Sequence, residues 1–195
     1  MKSQKKLKKF VMVGMLSSIA YLLMFLSFPL PLLPPYLKVD FSDIPALIAA
    51  IIFGPIAGIT VEAVKNILNY VIQGSMTGFP VGNIANFTAG VLFVLPTAYV
   101  FKKFNSSKGL KMGLLAGTAT MAIMMSVLNL FVFLPAYSFF LGYPLDSMPV
   151  LVNVVVVGIL PFNIIKGAIV GFLFVLLFQK LSHWFEKEWQ LKYIN

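Results

Sequence analysis

The chain has 195 residues, 59% of them hydrophobic and only 11% charged, and fifteen lysines against six acidic side chains give a formal charge of +9. Water-soluble domains carry about a quarter charged residues, so this chain cannot cover an aqueous surface and its expected solvent is the bilayer. Every basic residue is lysine, which disfavours bidentate readout of phosphates or bases, and the lack of cysteine with a single His183 excludes disulfides, thiolate chemistry, His-based metal sites and catalytic triads.

The basic run Lys2 to Lys9 precedes an apolar stretch at 10–28 that is too long for a signal-peptide core and has no small-residue cleavage site. It is predicted to be a retained first span. With about 20 residues needed per span, punctuation by Pro, Gly and charge predicts a single all-α membrane domain over 1–195. Six transmembrane helices are expected, at 10–28, 43–54, 56–73, 83–101, 110–138 and 159–180. Gly54-Pro55 separates the short second helix from the third, because a residue before proline avoids the helical region.

Lysine placement tests the count. With both termini cytoplasmic, the inner segments and their helix ends hold Lys2, Lys5, Lys6, Lys8, Lys9, Lys102, Lys103, Lys108, Lys111, Lys180, Lys187 and Lys192, whereas the outer segments hold only Lys38. That asymmetry is the positive-inside bias, and a five-helix count would break it. Trp184 and Trp189 beside Lys187 fit an interfacial C-terminal helix. The outer connections at 29–42, 74–82 and 139–158 are long and apolar, and Pro29, Pro31, Pro34 and Pro35 stiffen the first. Such loops read as a lid or site wall.

Ionisable groups within spans are costly and face a cavity or one another. On the third helix Glu62, Lys65, Asn66, Asn69 and Gln73 form one continuous face. A Glu62–Lys65 pair with the amides bonding neighbouring helices is the structural reading of its lower part. On the sixth helix, after Pro161, Asn163 and Lys166 sit one turn apart, and Lys166 has no carboxylate nearby in sequence. It therefore needs a partner from another helix or from a ligand, unless it snorkels outward. Asn129 lies in an apolar run of the fifth helix, and Asn83 and Asn86 open the fourth. Asn amides and a Lys ammonium among Phe, Tyr, Met and Leu suit a small molecule, and best a flat heterocycle with an imide-like edge.

The stretch Leu37-Lys-Val-Asp-Phe-Ser-Asp-Ile-Pro45, Phe-Gly-Pro-Ile-Ala-Gly at 53–58, Glu62-Ala-Val-Lys-Asn66, Gly82-Asn-Ile-Ala-Asn-Phe87 and Pro161-Phe-Asn-Ile-Ile-Lys-Gly167 together resemble the riboflavin-specific S components of energy-coupling factor (ECF) vitamin transporters. The resemblance spans essentially the whole chain. It implies a non-enzymatic subunit with no cofactor or metal that captures riboflavin as cargo and works with a membrane scaffold subunit and two cytoplasmic ATPases in the cell membrane. By the same resemblance Asn129, Asn163 and Lys166 bond the polar edge of the ring, and Lys38, Val39, Asp40, Gly78 and Phe79 close over the ligand; Asn83 is taken as a further riboflavin contact, for which capping and helix–helix bonding compete. Scaffold docking falls to Gly14, Ser17 and Ser18, where Gly14-xxx-Ser18 replaces the family's usual pair of alanines. No phosphate-binding GxxxxGK[ST] occurs, so ATP would have to act elsewhere. The competing readings are the same scaffold for another vitamin, a proton-coupled porter using Glu62, and an intramembrane enzyme, for which Glu62 and Lys65 are the only close pair.

Overall fold

A computed structural model describes residues 2–189 apart from 35, 143, 145 and 146. The side chains of Trp184, Lys187 and Trp189, and all of Lys192, lie outside the described residues, and with them the expected C-terminal aromatic anchor. The elements in order are α1 (Lys2–Met24), β1 (Phe28–Pro29), β2 (Lys38–Val39), α2 (Asp43–Phe53), α3 (Pro55–Gln73), α4 (Val81–Phe104), α5 (Ser107–Leu128), α6 (Leu134–Leu141), α7 (Met148–Asn153) and α8 (Leu160–Trp189). A π-helical segment, Asn129–Phe133, joins α5 to α6, and a second, Val154–Ile159, joins α7 to α8. The described residues thus make six helical rods.

Four of the rods are long and apolar enough to cross a membrane: Lys6–Met24, Val81–Phe104, Ser107–Leu141 and Met148–Leu181. The 11-residue α2 is about 16 Å long at 1.5 Å per residue, roughly half of a hydrocarbon core. Its Ala46, Leu47, Ala49 and Ala50 are buried, so it packs inside the bundle against α1, α3, α4 and α8. The break that follows it falls at Gly54-Pro55, where Gly54 adopts φ +98, a conformation that side-chain-bearing residues disfavour.

Two expectations need correction. The first helix ends at Met24 rather than 28, because Phe28 and Pro29 pair with Val39 and Lys38 in a short antiparallel ladder. The segment 139–158, expected as an outer loop, is largely helical, and the last rod begins at Met148 instead of 159. Proline explains both the misreading and the geometry. Each π segment ends two residues before a proline, Pro135 and Pro161, and the wider winding lets the helix run on past a residue that lacks an N–H and crowds the preceding turn.

Packing between α3 and α4 is close at Gly90, where an added Cβ would run into the Glu62 carboxylate. Gly90→Val is accordingly expected to destabilise the fold by about 1–3 kcal/mol, read as a lower melting temperature of detergent-purified protein. Gly171→Ala is the neutral comparison, since its nearest neighbour, Leu114 Cβ, would lie 3.7 Å away.

Candidate functional site

The site begins with the ladder. Pairing of Phe28 with Val39 and Pro29 with Lys38 pins the proline-rich connection over the bundle, and Pro34 packs against Gly158 of the second π segment. Val39 is completely buried and Asp40 nearly so, whereas Lys38 is exposed. Asp40 Oδ1 accepts the Ser42 backbone N–H at 2.8 Å, turning the chain into α2. Its Oδ2 is left facing Lys166, 3.7 Å away.

Lys166 is buried on α8, and its nearest carboxylate oxygen is Asp43 Oδ2 at 3.2 Å. The partner it required therefore comes from α2 and from the loop before it. The contact lacks hydrogen-bond geometry, because Asp43 Oδ2 has no hydrogen-bond partner among the described residues. Asp43 Oδ1 instead accepts from Lys65 at 2.6 Å. Lys65 also donates to Ser42 Oγ at 2.7 Å and to Glu62 Oε1 at 2.9 Å. The expected Glu62–Lys65 pair is one edge of a larger buried cluster spanning the loop before α2, α2 itself, α3 and α8. Asp43 was missed as a member. The available signal was that Lys65 and Lys166 each need an anion, and Asp40 and Asp43 are adjacent carboxylates flanking a buried helix start.

Asn163 is buried one turn before Lys166, on the same face. Its amide donates to Ile159 O at 2.9 Å, and the half-buried Asn129 donates to Met125 O at 2.7 Å. Each bond goes to the carbonyl four residues back, beside a π segment. The amide donors therefore serve the backbone while each Oδ1 remains an acceptor for other groups. Asn163 and Lys166 thus share one face of α8, and Asn129 opens the π segment that follows α5.

Gly78 and Phe79 lie in the loop that follows α3, where Tyr70 Oη donates to Gly78 O at 3.0 Å. The Phe79 ring stacks on Phe140 of α6 with centroids 4.8 Å apart, and its carbonyl accepts from both Ser75 and Thr77. This loop is thereby tied to the segment beyond the first π turn. Asn83 is engaged with α3, donating to Asn69 Oδ1 at 2.7 Å. It lines a cavity of about 270 Å³ between α3 and α4 with Asn66, Ile67, Tyr70, Pro80, Ile84 and others, a lining that does not include Lys166. A second cavity, about 430 Å³, sits at the opposite end beside Gly54, Pro55, Lys102 and Asn105.

On α1, Gly14 and Ser18 face outward and a Cβ on Gly14 would meet nothing within 4 Å. Ser17 does not share that face. It is buried and donates to Val13 O at 2.8 Å, so of the three expected docking residues only Gly14 and Ser18 are exposed.

Residues 8–178 match the family model for the substrate-specific component of ECF transporters. The chain is 60% identical to the riboflavin transporter FmnP of Bacillus subtilis, over 94% of this chain and 96% of that protein. It is 43% identical to the riboflavin transporter RibU of Staphylococcus aureus, over 92% and 93% of the two chains. A solved S component of a bacterial ECF transporter superposes with a TM-score of 0.79 at 44% identity, covering 93% of this chain and 99% of that one.

Proposed function

The chain belongs to the substrate-specific components of ECF transporters, and from that premise we propose that it captures riboflavin at the outer face of the cell membrane and delivers it to an ATP-driven complex. It is an all-α membrane protein that transports rather than catalyses. The observation that carries the ligand reading is Lys166: a buried ammonium, loosely held by two carboxylates, one turn from the buried amide of Asn163. Its unspent donors suit the carbonyl oxygens on the polar edge of an isoalloxazine ring. The Asn129 and Asn163 oxygens suit the ring's imide N–H. Val39, Asp40, Gly78 and Phe79 form the outer cover, with Lys38 at the rim, while Asn83, the remaining expected ligand contact, spends its amide on Asn69 of α3. The names of the relatives, both riboflavin transporters, support the same ligand.

In this reading all six rods lie within the membrane region and both termini are cytoplasmic. Support comes from one end of the bundle, where Lys9 Nζ donates to Phe53 O at 2.9 Å and Lys102 lines the cavity at the α2–α3 junction. Clustered lysines at that end suit the cytoplasmic side. The partners are a membrane scaffold subunit, met through the Gly14 and Ser18 face of α1, and two cytoplasmic ATPases.

The test is optical. Detergent-purified protein is expected to carry the visible absorbance of a flavin or, once stripped, to quench the fluorescence of added riboflavin at near-stoichiometric amounts. Colourless protein that leaves riboflavin emission unchanged overturns the reading.

A further inference from the structure

Two buried ammonium groups share one carboxylate, and they share it unequally. Lys65 places its three donors on Ser42 Oγ, Asp43 Oδ1 and Glu62 Oε1, at 2.7, 2.6 and 2.9 Å, which exhausts its hydrogen-bonding capacity. Lys166 reaches only the other Asp43 oxygen, at 3.2 Å, and Asp40 Oδ2, at 3.7 Å, and makes no hydrogen bond among the described residues. Lys65 is fully enclosed and its donors are all committed, so it has none to offer a ligand.

We propose that Lys65 is a positioning residue for the ligand site: by holding Asp43 through Oδ1, it prevents that carboxylate from closing on Lys166 and so keeps the Lys166 donors available to riboflavin. The inference rests on the reading that Lys166 contacts the flavin. Its physical basis is competition in a medium of low dielectric, where a charge-assisted hydrogen bond is strong and a carboxylate turns toward whichever cation is free. With Lys65 present, Asp43 is oriented along its short bond and meets Lys166 off-axis. With Lys65 removed, Asp43 offers both oxygens to Lys166, the existing 3.2 Å ion pair tightens into a hydrogen-bonded one, and a ligand carbonyl must break it to bind. Asp40 cannot substitute as the orienting group, because its Oδ1 is committed to the Ser42 N–H.

A purely structural role for Lys65 would consist of charge balance, and two double variants separate the roles. Lys65→Met combined with Asp43→Asn, and Lys65→Met combined with Glu62→Gln, each remove one ammonium and one carboxylate, so both keep the cluster's native net charge. Only the first removes the carboxylate that would capture Lys166. The full-length protein in detergent is titrated with riboflavin by fluorescence quenching. Lys65→Met alone is expected to weaken binding roughly tenfold or more, the Asp43→Asn double variant to recover to within about threefold of native, and the Glu62→Gln double variant to remain weak. Equal affinities for the two double variants, or native affinity for Lys65→Met, overturn the proposal. If Lys65→Met alone does not fold, the comparison between the charge-balanced pair decides by itself. A native chain that fails to quench riboflavin overturns the functional reading and this inference with it, whereas native quenching with equal double variants overturns this inference alone.

Discussion

Replacing Asp43 with alanine is expected to cost about 3–5 kcal/mol of folding stability, the range for removing one partner from a buried ion pair. The size follows from what the carboxylate touches. Asp43 is buried at the first turn of α2, bonded to Lys65 at 2.6 Å and facing Lys166 at 3.2 Å. Its loss leaves Lys65 with Ser42 and Glu62, and Lys166 with only Asp40 at 3.7 Å. Lys65, fully enclosed, cannot reach water without unpacking the bundle. The check is thermal unfolding of the detergent-purified protein, with Asp43→Ala melting far below native. The Lys65→Met and Asp43→Asn double variant is expected to melt closer to native than Asp43→Ala, because deleting both members of a buried pair leaves no uncompensated charge between them. A native melting temperature for Asp43→Ala would show that the cluster contributes little to the fold.

The second large effect is on ligand binding. Lys166→Ala and Asn129→Ala are each expected to weaken riboflavin binding by about 1–3 kcal/mol, roughly 5- to 150-fold, in a fluorescence titration. Lys166→Ala should lie toward the upper end, since bonds to a charged group are the stronger kind. Its cost in stability should be smaller than that of Asp43→Ala, because its two ion-pair contacts are the long ones. This pattern, with binding lost at Lys166 and stability lost at Asp43, distinguishes a ligand contact from a structural counter-ion within one cluster. Unchanged affinity in either variant would remove that residue from the site.

Much of the architecture is legible along the chain. The rods, the break at Gly54-Pro55 and the concentration of polar residues on one face of α3 follow from local composition and the fixed geometry of a helix. Lys166 stands out for the same reason, since an ammonium in an apolar run has no neighbour to neutralise it. The winding around Pro135 and Pro161 is not legible in this way. A proline reads as a helix end, and only a π turn just before it, stabilised by contacts with adjacent helices, lets the rod continue. The paired strands at Phe28–Pro29 and Lys38–Val39 are hidden likewise, because so short a ladder has no periodicity and depends on the bundle beneath it.

By itself the sequence determined the solvent, the number of rods and the residue types available for binding, since each depends on counts and spacing within a single segment. Tertiary structure decided that α2 is an interior helix too short to span, that Ser17 faces the bundle, and that Asp43 stands between Lys65 and Lys166. Those outcomes depend on which surfaces meet across the chain. Burial then forces every charge to find its partner by proximity in space rather than in sequence.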